Sequence, residues 1–207
     1  MNIDYKITDM HLDVLKEIGS IGAAHAATSL SQLLDKKIEM LVPNVSFVSF
    51  DEMFDLAGGS ERIVVGILQK IEGDLSGNMF YLLPLDSANQ LTKRLVGETS
   101  IDFHNSTISE LAISAMQEVG NILAGSYLSA LSDFTQLKIQ PTVPSLSVDM
   151  VGAIISFGLI ELSHYYDEAI VIDTQIIVEG SSSVDGHFFL LPNPEAYISL
   201  FRSLGVL

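Results

Sequence analysis

Residues 12–43, LDVLKEIGSIGAAHAATSLSQLLDKKIEMLVP, and residues 113–144, ISAMQEVGNILAGSYLSALSDFTQLKIQPTVP, are one segment written twice. Laid over each other at an offset of 101, they agree at ten of 32 positions without a gap, from Glu17/Glu118 and Gly19/Gly120 to Val42/Val143 and Pro43/Pro144. Composition alone gives about two such agreements. The correspondence continues beyond this segment. Ile63-Val64-Val65 resembles Ile170-Val171-Ile172 at an offset of 107, and Phe80-Tyr81-Leu82-Leu83-Pro84 matches Phe188-Phe189-Leu190-Leu191-Pro192 at 108. Arg94/Arg202 and Gly97/Gly205 hold that last offset, so the second copy carries about seven extra residues.

Each copy follows the same plan. Residues 9–34 and 107–132 have the spacing of long helices, and Thr107-Ile108-Ser109-Glu110 reads as a capping box opening the second. Segments 37–49, 62–71 and 75–84, and 138–148, 168–178 and 186–191, are rich in Val, Ile, Phe and Tyr and read as strands. Residues 86–97 and 194–204 read as short closing helices, 51–58 and 149–163 as helices between the first two strands, and 97–106 as the linker. Three strands per copy pair most economically into one sheet. The expected fold is therefore α/β in the α+β sense: one pseudo-two-fold domain over 1–207, with homologous halves 1–103 and 104–207. About six strands share a sheet, and two long helices carry the sites.

Composition excludes several functions. Ten Lys and Arg against 26 Asp and Glu leave a net charge of −16, the wrong sign for a protein that grips a phosphate backbone. With no cysteine there are no disulfides, thiolate zinc sites or thiol nucleophiles. The five histidines lack metal-ligand spacing, and no phosphate-cradling glycine loop or nucleophile elbow is present. Mean hydropathy is +0.39. The longest strongly apolar run, Met150–Ile160, is about half a bilayer span, so the hydropathy points to a large core rather than membrane insertion. Met1 to Lys6 shows no basic segment followed by an apolar one, and the expected location is cytoplasmic.

The repeated helix carries the chemistry. At about 100° per residue, with Glu118 set at zero, Ser114, Asn121 and Gly125 fall within about 60° of it. Ala112, Ala115, Met116, Val119 and Leu123 fall on the other side. Glu118 and Asn121 thus share a face turned away from the core and bordered by small residues. Asp13, Glu17, Ser20 and Ala24 are their counterparts in the first copy. A carboxamide can accept a hydrogen bond from a water and aim it, while a carboxylate can anchor a partner's cation. Such a face can equally be solvated helix surface. Asp13 and Glu17, like charges four residues apart, are mildly unfavourable on a bare helix. Pro43 and Pro144 each follow Val in a β-rich segment, where an edge or bulge position accounts for them.

At these residues the chain resembles the CheC-type phosphatases of chemotaxis, relatives of CheX and of the flagellar-switch proteins FliY and FliM. The family pattern is Asp or Ser, three residues, Glu, two residues, Asn, and Pro after a further 22. The second copy completes it with Ser114, Glu118, Asn121 and Pro144; the first reads Asp13, Glu17, Ser20 and Pro43, with Ser where the family has Asn. The resemblance implies hydrolysis of the aspartyl phosphate on the response regulator CheY. The regulator would supply the phosphoaspartate, a lysine and Mg²⁺, and this chain would need no cofactor of its own. It assigns Glu118 to the lysine and Asn121 to the attacking water, and leaves the degenerate Glu17/Ser20 site weak or silent. It also implies a second partner, the receptor deamidase CheD. For that partner the asymmetric helix expected from Asp149, with Gly152 and Ser156 one turn apart, is the candidate surface. The alternative is a non-catalytic adaptor or switch scaffold of the same fold. Residues 1–8 and 205–207 offer little sequence for the extra segments such scaffolds carry, and the intact Ser114/Glu118/Asn121 set favours catalysis.

Overall fold

In a computed structural model that describes residues 8–97, 100–105, 107–159, 168–179 and 183–205, the first copy runs through seven elements. These are α1 (Asp9–Leu34), β1 (Ile38–Leu41), β2 (Val45–Ser49), α2 (Phe50–Leu56), β3 (Ile63–Gly73), β4 (Gly77–Pro84) and α3 (Leu85–Val96). The order repeats as α4 (Glu110–Thr135), β5 (Ile139–Pro141), β6 (Ser145–Met150), α5 (Val151–Leu159), β7 (Glu168–Val178), β8 (Val184–Pro192) and α6 (Pro194–Ser203). Even the backbone exceptions recur at paired positions. Asp35 and Gln136 end the long helices at φ 50° and 60°, and Gly97 and Gly205 end segments at φ 75° and 78°.

Three details differ from the sequence reading. The segments 37–49 and 138–148 are each interrupted at the proline, giving β1/β2 and β5/β6. Both pieces of each pair lie along one neighbour, so six strand positions result. Helix α4 starts at Glu110, and its cap is Ser109, whose hydroxyl accepts the Ala112 N–H at 3.2 Å. A reciprocal capping box forms instead at α2, where Ser49 N–H donates to Glu52 Oε2 at 2.8 Å and Glu52 N–H to Ser49 Oγ at 3.2 Å. Asp149 does not open a helix: it is in β6 opposite Val64, and its Oδ1 accepts the Met150 N–H at 2.8 Å. The ladder to β3 holds the backbone extended for two residues more than the sequence indicates, and α5 begins at Val151. Positions 98, 99 and 106 of the expected linker, and 160–163 of the expected helix, lie outside the described residues.

The strands run β1/β2–β7–β8–β4–β3–β5/β6, every pair antiparallel. Each half thus lends its first strand to the other half's second. At the centre β4 pairs with its own copy, Phe80 opposite Phe189 and Tyr81 opposite Phe188. The repeat axis passes between those two rungs. Alternation sends Met79, Tyr81, Leu83, Phe188 and Leu190 to the face covered by α1, α3, α4 and α6. Phe80, Leu82, Phe189 and Leu191 go to the face covered by α2 and α5. Burial on both faces is why these strands read as unbroken apolar runs.

Helices α1 and α4 pack together where glycine removes a side chain. A Cβ on Gly22 would lie 2.9 Å from the Tyr127 Cα, and one on Gly120 would lie 2.6 Å from Ile67 Cγ2 of β3. The long helices are thereby set against each other and against the sheet, with their far sides left to solvent. Gly22→Ala is therefore expected to lose about 1–3 kcal/mol in urea unfolding, although alanine is the better helix former. An unchanged midpoint would show that the helices can separate freely.

Candidate functional site

The helix face set out from the sequence is the outer face. Ala112, Met116, Val119 and Leu123 are buried, while Ser114, Glu118 and Asn121 are exposed. On α1, Asp13, Glu17 and Ser20 are exposed above buried Leu15, Ile18 and Gly19. Both faces are exposed, so the molecule presents the element twice.

The copies are not equivalent. Ser114, Glu118 and Asn121 form one wall of an open groove of about 350 Å³, and Pro141, Thr142, Val143 and Pro144 form the opposite wall, with Gln117 at its floor. The Gln117 side-chain amide donates to the Pro144 carbonyl at 3.1 Å, tying helix to loop. From the sheet, the buried Gln69 amide donates to the Thr142 carbonyl at 2.9 Å. Thr142 also exchanges bonds with Lys70, its N–H to the Lys70 carbonyl at 2.9 Å and its hydroxyl accepting the Lys70 N–H at 3.1 Å. Pro144 is buried behind the site and Val143 projects from it, 87% exposed.

In the first copy the same loop lies down. Val42, the counterpart of Val143, is 6% exposed, and its Cγ1 lies 3.5 Å from where a Cβ on Gly19 would stand. Pro43 is exposed, and Lys16 stands where Gln117 does. The loops differ in sequence where they differ in burial: Met40 is a buried strand residue in β1, whereas its counterpart Pro141 is half-buried at the end of β5. Ser20 differs from Asn121 in more than length. Its hydroxyl donates to the Lys16 carbonyl of its own helix at 2.9 Å, turning the group back along α1.

The structure brings Ser114, Glu118, Asn121 and Pro144 together around one groove, and Asp13, Glu17, Ser20 and Pro43 are all exposed in the first copy. Asp149 and Ser156 are exposed on a different part of the surface, at the end of β6 and on α5. Gly152 is used internally: its N–H donates to the Ser60 carbonyl at 2.8 Å, and a Cβ there would come within 3.1 Å of that oxygen. The contributions of Gln69, Gln117 and the Pro141–Pro144 loop were not read from the sequence. The visible signal was Pro141, an extra proline that only the second copy has. Among the described residues, no three His, Asp or Glu side chains converge as metal ligands, and no helix is long and apolar enough to cross a membrane.

Comparison with known proteins matches the CheC-like family model twice, at residues 10–47 and 111–148, from α1 into β2 and from α4 into β6. Over 206 residues the chain is 43% identical to the CheY-P phosphatase CheC of Bacillus subtilis, covering 99% of each chain. The fold also matches Thermotoga maritima FliY, with a TM-score of 0.76 at 17% identity, covering 96% of this chain and 98% of that one. A further match is to a structure of the Borrelia burgdorferi CheX–CheY–BeF3–Mg²⁺ complex, with a TM-score of 0.51 at 17% identity, covering 82% and 95%.

Replacing the amide that ties the loop to α4 is expected to loosen the groove without unfolding the protein. For Gln117→Leu, hydrogen–deuterium exchange should quicken in residues 142–146, with a stability loss of about 1 kcal/mol. Unaltered exchange there would mean that the sheet-side bonds alone hold the loop.

Proposed function

Because this chain belongs to the CheC-like family and displays Glu118 and Asn121 on one groove wall, we propose that it hydrolyses the aspartyl phosphate of a phosphorylated CheY-type response regulator. The observation that carries this reading is the groove itself, with a carboxylate and a carboxamide exposed side by side above a wall fixed by Gln117 and Gln69. The 43% identity to a CheY-P phosphatase over the whole length supports the substrate.

The reaction needs little from this chain beyond placement. A water oxygen attacks phosphorus while the bond from phosphorus to the aspartyl oxygen breaks. The regulator's carboxylate leaves, and inorganic phosphate takes the water oxygen. A Mg²⁺ ion bound by the regulator would supply charge stabilisation for the transferred group. The Asn121 carbonyl accepts a hydrogen bond from the water and holds its lone pair in line with phosphorus. The Glu118 carboxylate pairs with a lysine beside the phosphoaspartate, which fixes the register of docking. An attacking water held in one orientation no longer has to find it by chance, and misplacement of about 1 Å lowers the rate by about 10²-fold. The first-copy site is weak by this logic, since Ser20 is short and bonded to its own helix.

The test is phosphate release from phosphorylated regulator. Asn121→Ala is expected to lose about 10²-fold in kcat, and Ser20→Ala to stay close to the wild-type rate. The reverse pattern would move the active site to α1. For the second partner, the receptor deamidase, Asp149 and Ser156 are the proposed contacts, whereas Gly152 serves the fold. Asp149→Lys should weaken deamidase binding in a pull-down or calorimetric titration; wild-type affinity in a folded variant removes that surface from consideration.

A further inference from the structure

We propose that Val143 and Gly125 bracket the Glu118/Asn121 pair as docking elements for the phosphorylated regulator, Val143 as an apolar anchor and Gly125 as the clearance that lets the partner's backbone reach α4. The proposal rests on the hydrolase reading above and extends it from the reacting residues to the footprint around them.

Val143 has the properties of an anchor. It is 87% exposed although its counterpart Val42 is buried at 6%, so the exposure is a property of the second copy and not of the repeat. The loop is held in three directions, by Gln117 on Pro144, by Gln69 on Thr142 and by the Lys70 backbone. Prolines at 141 and 144 restrict the backbone further. A β-branched side chain on such a loop loses little conformational freedom on binding, which is what makes an exposed apolar group an efficient contact. It lines the groove that holds Glu118 and Asn121, within reach of a partner that presents a phosphoryl group to Asn121.

Gly125 is the opposite kind of feature. Glycine weakens a helix interior relative to alanine, and here the fold does not call for it. A Cβ at Gly125 would find nothing within 4 Å, and no left-handed backbone angle requires glycine there. That contrasts with Gly22 and Gly120, where a Cβ would collide. Gly125 lies one turn beyond Asn121 on the same face, and the first copy has exposed Ala24 in its place. A bare stretch of helix next to the water-holding amide lets a loop of the partner descend to the depth at which an asparagine side chain reaches phosphorus.

The experiment measures kcat and KM on phosphorylated regulator, affinity for the regulator loaded with beryllofluoride and Mg²⁺, and thermal midpoint, for Val143→Asp, Gly125→Ala, Gly125→Leu and Asn121→Ala. Both Gly125 variants should melt about 3 °C higher. Gly125→Leu and Val143→Asp should raise KM and weaken beryllofluoride-regulator binding about tenfold or more. Wild-type binding by both Val143→Asp and Gly125→Leu overturns the footprint, as does a lowered midpoint for Gly125→Ala, which would give the glycine a role in the fold. Asn121→Ala separates the two readings. It should bind the loaded regulator normally while losing kcat; if it keeps kcat, the catalytic assignment fails while the binding data on Val143 and Gly125 still decide the footprint.

Discussion

The antiparallel pairing of β4 with β8 is the constraint on which the rest of the molecule depends. A strand laid against its own copy, Phe80 opposite Phe189 and Tyr81 opposite Phe188, defines a two-fold relation that every other element obeys. Tyr81 stacks on Phe188 with ring centroids 4.3 Å apart, and Tyr127 of α4 meets the same Phe188 edge-on at 5.0 Å. The central rungs therefore reach up into the helix layer. From that axis the sheet extends by exchange, each half placing its first strand outside the other's second. Neither half can bury its own sheet edges alone, which is the physical reason the duplication yields one sheet and not two.

The same symmetry makes the differences between copies informative. Two positions related by the axis start from the same backbone plan, so a divergence in burial has a local cause. At the strand breaks Met40 is exchanged for Pro141, and on the facing helix Lys16 for Gln117. The first loop lies with Val42 against Gly19, whereas Gln69 and Gln117 hold the second by hydrogen bonds to the Thr142 and Pro144 carbonyls. A groove lies beside Glu118 and Asn121, while in the first copy Val42 packs against Gly19. The substitution of Ser for Asn and the burial of the loop valine occur in the same copy.

Glycines tell a parallel story about what a helix face is for. Gly22 and Gly120 are explained by close packing with Tyr127 and Ile67, and their place in a helix needs no further reason. Gly125 has no such neighbour. It lies one turn beyond Asn121, beside the residues that the family pattern marks.

The sequence by itself determined the duplication, the two long helices, the six strand positions and the outward face bearing Glu118 and Asn121. All of these follow from local periodicity and from the match of one segment with another. It also showed which copy keeps the asparagine. Only the tertiary structure decided the strand exchange across the axis, the place of Asp149 in a ladder instead of at a helix start, and the internal use of Gly152 against Ser60. It alone decided that one loop stands open and the other lies closed. Those outcomes rest on contacts between residues far apart in the chain, such as Gln69 with Thr142 and Gln117 with Pro144, and no pattern of near neighbours encodes which long-range hydrogen bond a glutamine will make.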